Sequence, residues 1–225
     1  MTLGYDADGR TTAMTDGTGA SSWTYDAFGQ LTSATTPAGT VGYTYDPVGN
    51  TTSISYPGQT TPVARGFDAA DRLTSVKDFA GNSTTFGYDH DSAIATTSYP
   101  GGSVVTNTYN GAEQQTGTTA AKSGTTLAAY TYGRDNAGQV NSQTIGGTTQ
   151  TFTYSPREQL ATGVTGGTTT GYAYDTANHP TQVGSTTATF DPAGQECWST
   201  TSAVSNPTCG SKPAGATSYT FDGNG

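Results

Sequence analysis

The chain repeats one short pattern, an aromatic residue followed by Asp or another turn-forming residue, at intervals near 20 residues. The intervals range from 16 to 31 residues, and most are 20 to 22. The pattern recurs at Tyr5-Asp6, Tyr25-Asp26, Tyr45-Asp46, Phe67-Asp68, Tyr88-Asp89, Tyr109-Asn110, Tyr154-Ser155, Tyr174-Asp175, Phe190-Asp191 and Phe221-Asp222, with Asp135 in the same series. Such a period indicates a repeat protein in which each unit is one supersecondary element.

Each unit also carries a residue three positions after the Asp that suits a left-handed backbone conformation. A three-residue hairpin loop combines a type I turn with a residue in this conformation, which Gly adopts without steric cost. The leading Asp can accept hydrogen bonds from the following backbone N–H groups. We therefore predict structural turns at Asp6, Gly9, Asp26, Gly29, Asp46, Gly49, Asp68, Asp71, Asp135, Gly138, Asp175, Asn178, Asp191 and Gly194. Ser92, Glu113 and Glu158 suit the left-handed position poorly, so we expect those turns to differ.

The turn fixes the strand register. If Asp26 lies opposite Gln30, then Tyr25 faces Leu31, and the same offset pairs Phe67 with Leu73. A strand alternates its faces with a period of two, so the aromatic residue two positions earlier shares that face. We predict a structural aromatic face made of Trp23, Tyr25, Tyr43, Tyr45, Phe67, Phe86, Tyr88, Phe152, Tyr154, Tyr172 and Tyr174.

The composition agrees with strands rather than helices. Thr is 48 of 225 residues, and Thr, Tyr, Val and Phe suit a pleated, half-buried surface. Leu, Ile, Val and Phe together are 25 of 225 residues, a small number of core side chains that would be typical of a disordered chain if the charge were also high. Two features argue against disorder: only 11% of residues are charged, and 14 Tyr add surface that can be buried. The Gly-, Pro- and Thr-rich segments between units, such as 144–150 and 164–171, predict looser turns. The sequence predicts an all-β fold of tandem β-hairpins forming a long, curled antiparallel sheet.

Charge restricts the classes of partner. The net charge is −9 and the pI about 4.3, which disfavours nucleic acid and anionic membrane surfaces, because both are bound through Lys and Arg. The N-terminal segment MTLGYDADGR is polar and does not resemble a secretory signal, and no apolar run is long enough to cross a membrane as a helix.

The chain has two cysteines, Cys197 and Cys209, with 11 residues between them. A local disulfide closing an insertion at 197–209 is favoured over a metal site, since no CxxC and no nearby His accompany them. Two free thiols are the alternative. A disulfide would indicate an oxidising compartment.

The segments YDAFGQLTSA, YDPVGNTTSI, FDAADRLTSV and YDTANHPTQV resemble Rhs, or YD, repeats, and the resemblance covers essentially the full chain. In that family the hairpins form a sheet strip that spirals into a hollow shell, found in bacterial polymorphic toxins, Tc-toxin components, wall-associated proteins and animal teneurins. The resemblance implies a secreted or cell-surface protein, with the other repeats and a C-terminal effector of the same polypeptide as partners. The family's autoproteolytic C-terminal segment has no match here, so we expect a fragment: one array of about eleven hairpins over residues 1–225.

The sequence gives little indication of a catalytic or metal-binding site. One carboxylate per turn gives no convergent pair, so Asp26 and its equivalents are interpreted as turn formers rather than as catalysts or calcium ligands. The two histidines, His90 and His179, are expected to be solvent-exposed turn residues. We predict no catalytic, cofactor-binding or metal site and no enzymatic activity. The alternative to a structural shell is a surface module that binds carbohydrate, or a partner cell, through exposed aromatic rings.

Overall fold

The computed structural model describes residues 1–221, and in that range all regular structure is β-strand. The last predicted turn, which begins at Asp222, lies outside the described residues. Successive strands pair in an antiparallel sense from residue 2 to residue 109 and again from residue 125 to residue 218, so the prediction of an all-β fold of tandem hairpins is confirmed.

Contacts between Cα atoms divide the chain into two compact units. The first contains Met1–Thr108 and Thr119–Leu127, and the second contains Tyr109–Thr118 and Ala128–Gly225. The single array over residues 1–225 stays a prediction.

The strands are short and evenly spaced, as the repeat period requires. The first eleven are β1 Thr2–Tyr5, β2 Thr11–Asp16, β3 Gly19–Tyr25, β4 Leu31–Thr36, β5 Gly39–Tyr45, β6 Thr51–Ser55, β7 Val63–Phe67, β8 Leu73–Lys77, β9 Ser83–Tyr88, β10 Ile94–Ser98 and β11 Ser103–Tyr109. The rest are β12 Gln115–Lys122, β13 Thr125–Arg134, β14 Val140–Ile145, β15 Thr148–Tyr154, β16 Leu160–Thr165, β17 Thr168–Tyr174, β18 Pro180–Val183, β19 Thr186–Phe190, β20 Glu196–Thr200 and β21 Thr217–Ser218.

The predicted register is confirmed. Tyr25 lies opposite Leu31 and Phe67 opposite Leu73, and in each hairpin the register shifts by one residue beside the turn. The same pairing joins Tyr88 to Ile94 and Tyr154 to Leu160. This shift is the bulge that accompanies a left-handed residue at the end of a three-residue loop.

The turns are more uniform than the residue types suggest. Ser92, Glu113 and Glu158 have φ values of 70°, 59° and 63°, so the expectation that their turns differ is wrong. Each closes the same two backbone hydrogen bonds as the Gly-containing turns. The hairpin geometry therefore imposes the left-handed conformation even where the side chain disfavours it.

The turns at the opposite ends of the strands are also tighter than expected. The pairs Gly146-Gly147 and Gly166-Gly167 have φ values of 55° and 81°, and of 56° and 81°. Each links directly paired residues, as at Ile145 and Thr148. These are two-residue hairpins with both central residues in the left-handed region, so the prediction of looser turns there is wrong.

The core is small. Among residues 1–221, Trp198 is the one large side chain that is fully buried, with 1% of its surface exposed. Most strand side chains are half-buried, and the contacts between strands of the described residues join strands that follow each other in sequence. The fold therefore depends on what joins one hairpin to the next.

Candidate functional site

The predicted turn residues lie at the same end of successive hairpins. Asp26 shows the arrangement: its backbone N–H donates to Gln30 O at 2.9 Å, and its Oδ1 accepts hydrogen bonds from the backbone N–H groups of Phe28 and Gln30 at 2.9 Å each. Oδ1 accepts the equivalent pair of bonds at Asp6, Asp46, Asp68, Asp135, Asp175 and Asp191. The third residue after each of these has a positive φ, at Gly9, Gly29, Gly49, Asp71, Gly138, Asn178 and Gly194.

The second carboxylate oxygen often binds the side chain four residues after the Asp. Asp68 Oδ2 lies 2.8 Å from Nε of Arg72, and Asp6 Oδ2 lies 2.7 Å from Nε of Arg10. The backbone N–H of Arg72 is the main cause of the lowered pKa of Asp68; desolvation opposes it, and the Arg72 guanidinium adds to the lowering. For Asp6, desolvation is the largest influence and raises the pKa, but the hydrogen bonds from Arg10 outweigh it, so the pKa is lowered.

The same side chain then reaches the following repeat. The guanidinium of Arg10 lies 5.0 Å from the centre of the Tyr25 ring, and that of Arg72 lies 4.6 Å from the Tyr88 ring. A Cβ placed on Gly29 would lie only 2.9 Å from Nη1 of Arg10. Gly29 therefore serves two purposes, since it adopts a positive φ and it leaves room for the side chain from the preceding hairpin.

At three turns whose left-handed residue is not Gly, the side chain from the preceding turn bonds to the side chain of that residue instead. Arg72 Nη1 lies 3.0 Å from Ser92 Oγ, Asn50 Nδ2 donates to Asp71 Oδ1 at 3.0 Å, and Gln159 Nε2 donates to Asn178 Oδ1 at 2.8 Å. A lateral row of side chains therefore joins successive turns. We call this row the turn-edge ladder, defined by the residue four positions after each turn Asp or its equivalent and by the left-handed residue of the next turn.

Tyrosine hydroxyls form a second connection. Tyr45 Oη donates to the Leu31 carbonyl at 2.8 Å, past the point at Ser33 and Gly42 where backbone pairing between β4 and β5 ends. Equivalent bonds run from Tyr25 to Thr11, from Tyr88 to Leu73 and from Tyr154 to Val140, at 2.7 to 3.0 Å. Each hydroxyl thus replaces a backbone hydrogen bond between adjacent hairpins.

The predicted aromatic face is half-buried. Its members Trp23, Tyr25, Tyr43, Tyr45, Phe67, Phe86, Tyr88, Phe152, Tyr154, Tyr172 and Tyr174 all have intermediate exposure. The pKa of Tyr45 is raised, chiefly by desolvation and further by Tyr43 and Asp26. Their rings are therefore engaged in packing between hairpins, while the residues at the turn tips, such as Phe28, are largely exposed.

Sequence reasoning missed several members of these turns. Asp78 and Gly81 form the same hydrogen-bonded turn at the opposite end of β8 and β9, with Asn82 Nδ2 donating to Asp78 Oδ2 at 2.9 Å. Asn110, which the repeat series did include, caps its turn in the same way as Asp. The sequence signal at Asp78 was the same D-x-x-G spacing, but no aromatic residue precedes it.

The histidines differ from each other. His90 is fully exposed, as expected. His179 is not: its side chain is 30% exposed, Nδ1 lies 2.9 Å from Asp175 Oδ2, and its ring stacks on Phe190 with centroids 4.9 Å apart. The expectation of an exposed turn residue is wrong there, because His179 belongs to the turn-edge ladder. Desolvation is the largest influence and raises the pKa of Asp175, but the hydrogen bonds from the His179 side chain and from the backbone N–H groups of His179 and Ala177 together outweigh it, so the pKa is lowered.

Cys197 and Cys209 form a disulfide, with their Cα atoms 5.3 Å apart. The bridged loop lies against Trp198, whose Nε1 donates to the Thr208 carbonyl at 2.9 Å. Trp198 pairs with Thr189 across the strands, at positions where earlier hairpins have two hydroxyls in contact, such as Thr24 and Ser33. This replacement explains why the Thr189 hydroxyl, buried at 5% exposure, has no hydrogen-bond partner among the described residues.

Within residues 1–221, no group of three or more His, Cys, Asp or Glu side chains is placed to hold a metal ion. No helix in the same part of the chain is long and apolar enough to cross a membrane. The arrangement of the turn edge is that of a lateral connector between hairpins.

Part of the chain matches a known family of repeats in sequence. The family described as RHS Repeat matches residues 5–41, 29–61 and 67–104. No curated protein matches the chain in sequence.

Two solved structures have a similar fold. One is the crystal structure of TcdB2-TccC3-Cdc42, with a TM-score of 0.50 and 14% identity over 88% of this chain. The other is the Tc holotoxin pore of Photorhabdus luminescens with a mutation in TccC3, with a TM-score of 0.51 and 14% identity over 83% of this chain. The chain spans only 14% and 12% of the length of those proteins. At this identity the likeness concerns the fold.

Proposed function

We infer that the chain is an Rhs/YD-repeat protein, since the RHS Repeat family matches it at residues 5–41, 29–61 and 67–104, and we propose that its hairpins form part of a β-shell that encloses or displays a C-terminal effector of the same polypeptide. Its own role is that of a structural repeat segment. The observation that carries the proposal is the pair of lateral connections, the turn-edge ladder and the tyrosine hydroxyls, which extend the sheet by one hairpin at a time. A wall that can be lengthened in this way suits enclosure of a large volume.

We propose that the segment has no catalytic activity. Most of the turn carboxylates, which are the most regular polar groups of the chain, use both oxygens within their own turns, as at Asp6 and Asp68. A general acid or base must instead reach a substrate atom at hydrogen-bond distance. Extracellular action is supported by the disulfide between Cys197 and Cys209, since such bonds persist in oxidising compartments.

The carbohydrate alternative has less support. The Tyr25 ring is covered by Arg10, and its hydroxyl already donates to Thr11, so neither is free to bind a sugar. Tyr88 is occupied in the same way by Arg72 and Leu73.

Native-state proteolysis tests the enclosure. The complete polypeptide that carries residues 1–225 is treated with thermolysin over a series of urea concentrations, beside the isolated effector region. Enclosure predicts that the effector region is cleaved only at urea concentrations that unfold the repeats, and that the isolated region is cleaved well below them. Equal cleavage of the two forms at low urea would refute the proposal.

A further inference from the structure

Adjacent hairpins diverge beside their turns, and in two junctions an arginine of the chain occupies the space between them. Arg10 pairs with Asp6 at 2.7 Å and lies 5.0 Å from the centre of the Tyr25 ring. Arg72 does the same between Asp68 and Tyr88. A guanidinium is well suited to this position, because it is planar, pairs with a carboxylate and stacks on an aromatic face.

The junction between the second and third hairpins is built the same way but lacks the arginine. Gln30 stands at the position of Arg10, and its Nε2 would lie 3.0 Å from a Cβ on Gly49, much as Arg10 Nη1 lies beside Gly29, so an incoming guanidinium displaces a neutral amide there. A groove of about 510 Å³ opens there, lined by Asp26, Phe28, Gln30, Tyr45, Asp46 and Pro47 among others. The groove lies entirely within the first compact unit.

The charges at this groove are also unbalanced. Asp26 uses Oδ1 to cap its turn, and within residues 1–221 its Oδ2 has no hydrogen-bond or ion-pair partner. At the next turn, Asp46 Oδ2 accepts only the neutral amide of Asn50, at 3.0 Å. No cation of the described chain is paired at either carboxylate, and the whole chain carries a net charge of −9. The groove is therefore complementary to a positive charge.

We propose that this groove binds an arginine side chain of a partner polypeptide, with the guanidinium between Asp26 and Tyr45 in the position that Arg10 takes between Asp6 and Tyr25. Apolar side chains at the tips of the two flanking turns add an exposed apolar surface next to the charged groove. Phe28 is 89% exposed and Val48 is 70% exposed. The partner segment thus carries an arginine beside apolar residues that cover these tips. The site does not depend on whether the repeats enclose an effector.

The neighbouring repeats provide the variants that test the site. Gln30→Arg places the chain's own arginine in the groove, reproducing the Arg10 arrangement, and so competes with any external ligand. Asp26→Asn removes the charge but keeps Oδ1, and Asn110 shows that Asn caps the same turn with bonds of 3.0 Å. Arg10→Gln opens an equivalent groove beside Tyr25.

The measurement is a titration of the full chain with N-acetylarginine methylamide, followed by 15N–1H correlation spectra. Its neutral isostere N-acetylcitrulline methylamide is the control ligand. We expect saturable shifts at Asp26, Gln30 and Asp46, with affinity at least about tenfold weaker for the citrulline compound, the ratio expected when a charge-assisted contact is lost. We expect a similar loss in Gln30→Arg and Asp26→Asn, and a second set of shifts near Asp6 in Arg10→Gln.

Two results would overturn the proposal. One is equal binding of the arginine and citrulline compounds, which would indicate contact with the apolar tips alone. The other is undiminished binding to Gln30→Arg when its spectrum shows the folded sheet, because the groove would then not be the site. The absence of saturable shifts in the wild-type chain at tens of millimolar ligand counts equally against it.

Discussion

The tyrosine hydroxyls give a direct test of how hairpins are joined, and Tyr45→Phe is the sharpest perturbation. The substitution removes one atom, the Oη that donates to the Leu31 carbonyl at 2.8 Å, and keeps the ring in its half-buried place. Phenylalanine is compatible with this position, since Phe67 and Phe190 precede the turn Asp in their own repeats. Any loss of stability therefore reports on the hydrogen bond and not on packing.

The expected magnitude follows from the surroundings of the bond. An intramolecular hydrogen bond contributes about 0.5–1.5 kcal/mol net, and an acceptor left without its donor costs more when water cannot reach it. The Leu31 carbonyl lies beside a groove that opens to solvent, so water can replace part of the lost bond. We expect Tyr45→Phe to lower the free energy of unfolding by about 1 kcal/mol, and the melting temperature by about 2–4 °C for a chain of this size.

The assay is urea unfolding followed by circular dichroism, with Tyr5→Phe as the matched control. Tyr5 precedes a turn Asp in the same way, but it is 57% exposed and its hydroxyl has no hydrogen-bond partner among residues 1–221. We expect Tyr5→Phe to change stability by less than about 0.5 kcal/mol, as for an ordinary surface substitution. If the two variants unfold at the same urea concentration, the hydroxyl does not join the hairpins.

Three further predictions concern other parts of the fold. Gly29→Ala should cost about 1–2 kcal/mol, because of its φ of +81°, and more than Gly81→Ala, whose φ is +89° but whose nearest atom is a distant Lys77 carbon. Because the folded pKa of Asp68 and similar turn carboxylates is lowered from 3.8, their contribution to stability is complete above about pH 5 and is lost as the pH falls through the folded pKa values. Reducing the disulfide should destabilise the loop by about 3 kcal/mol and expose Trp198, which shifts its fluorescence to longer wavelength.

Each of these has an outcome that would contradict it. Equal losses in Gly29→Ala and Gly81→Ala would mean that Arg10 does not pack against Gly29. A urea midpoint that rises between pH 5 and pH 3 would mean that the carboxylates are not stabilised in their charged form. Unchanged fluorescence after reduction, with Trp23→Phe used to remove the other tryptophan, would mean that the loop covers Trp198 without its disulfide.

The hairpins and their register could be predicted because their causes are local. An Asp, a left-handed residue and an aromatic at fixed spacing specify the turn, and the turn then sets which residues face each other, as for Tyr25 and Leu31. Glu113 and Glu158 were misjudged because their own preference was weighed without the hairpin that constrains them. The tightness of Gly146-Gly147 was missed because a run of small residues does not distinguish a two-residue hairpin from a longer connection.

The connections between hairpins could not be predicted from single repeats. That Arg10 would lie over Tyr25, or that His179 would stack on Phe190, depends on which hairpins become neighbours and how far they diverge. The burial of Trp198 depends on a loop that returns over it and is closed by a disulfide. The first two contacts join one repeat to the next, so they become visible only once the repeats are aligned with one another.

The turn-edge ladder also restricts how genes for such arrays can change in length. Each junction matches a side chain from one hairpin to the left-handed residue of the next, as Arg10 with Gly29 or Arg72 with Ser92. Recombination that exchanges whole units makes neighbours of residues that were not adjacent before. An arginine placed beside Glu113 would contact a different surface from an arginine placed beside Gly29. Inserting or removing any number of whole units creates one junction between side chains that were not neighbours before, so a change in array length preserves the ladder only where that new junction also matches.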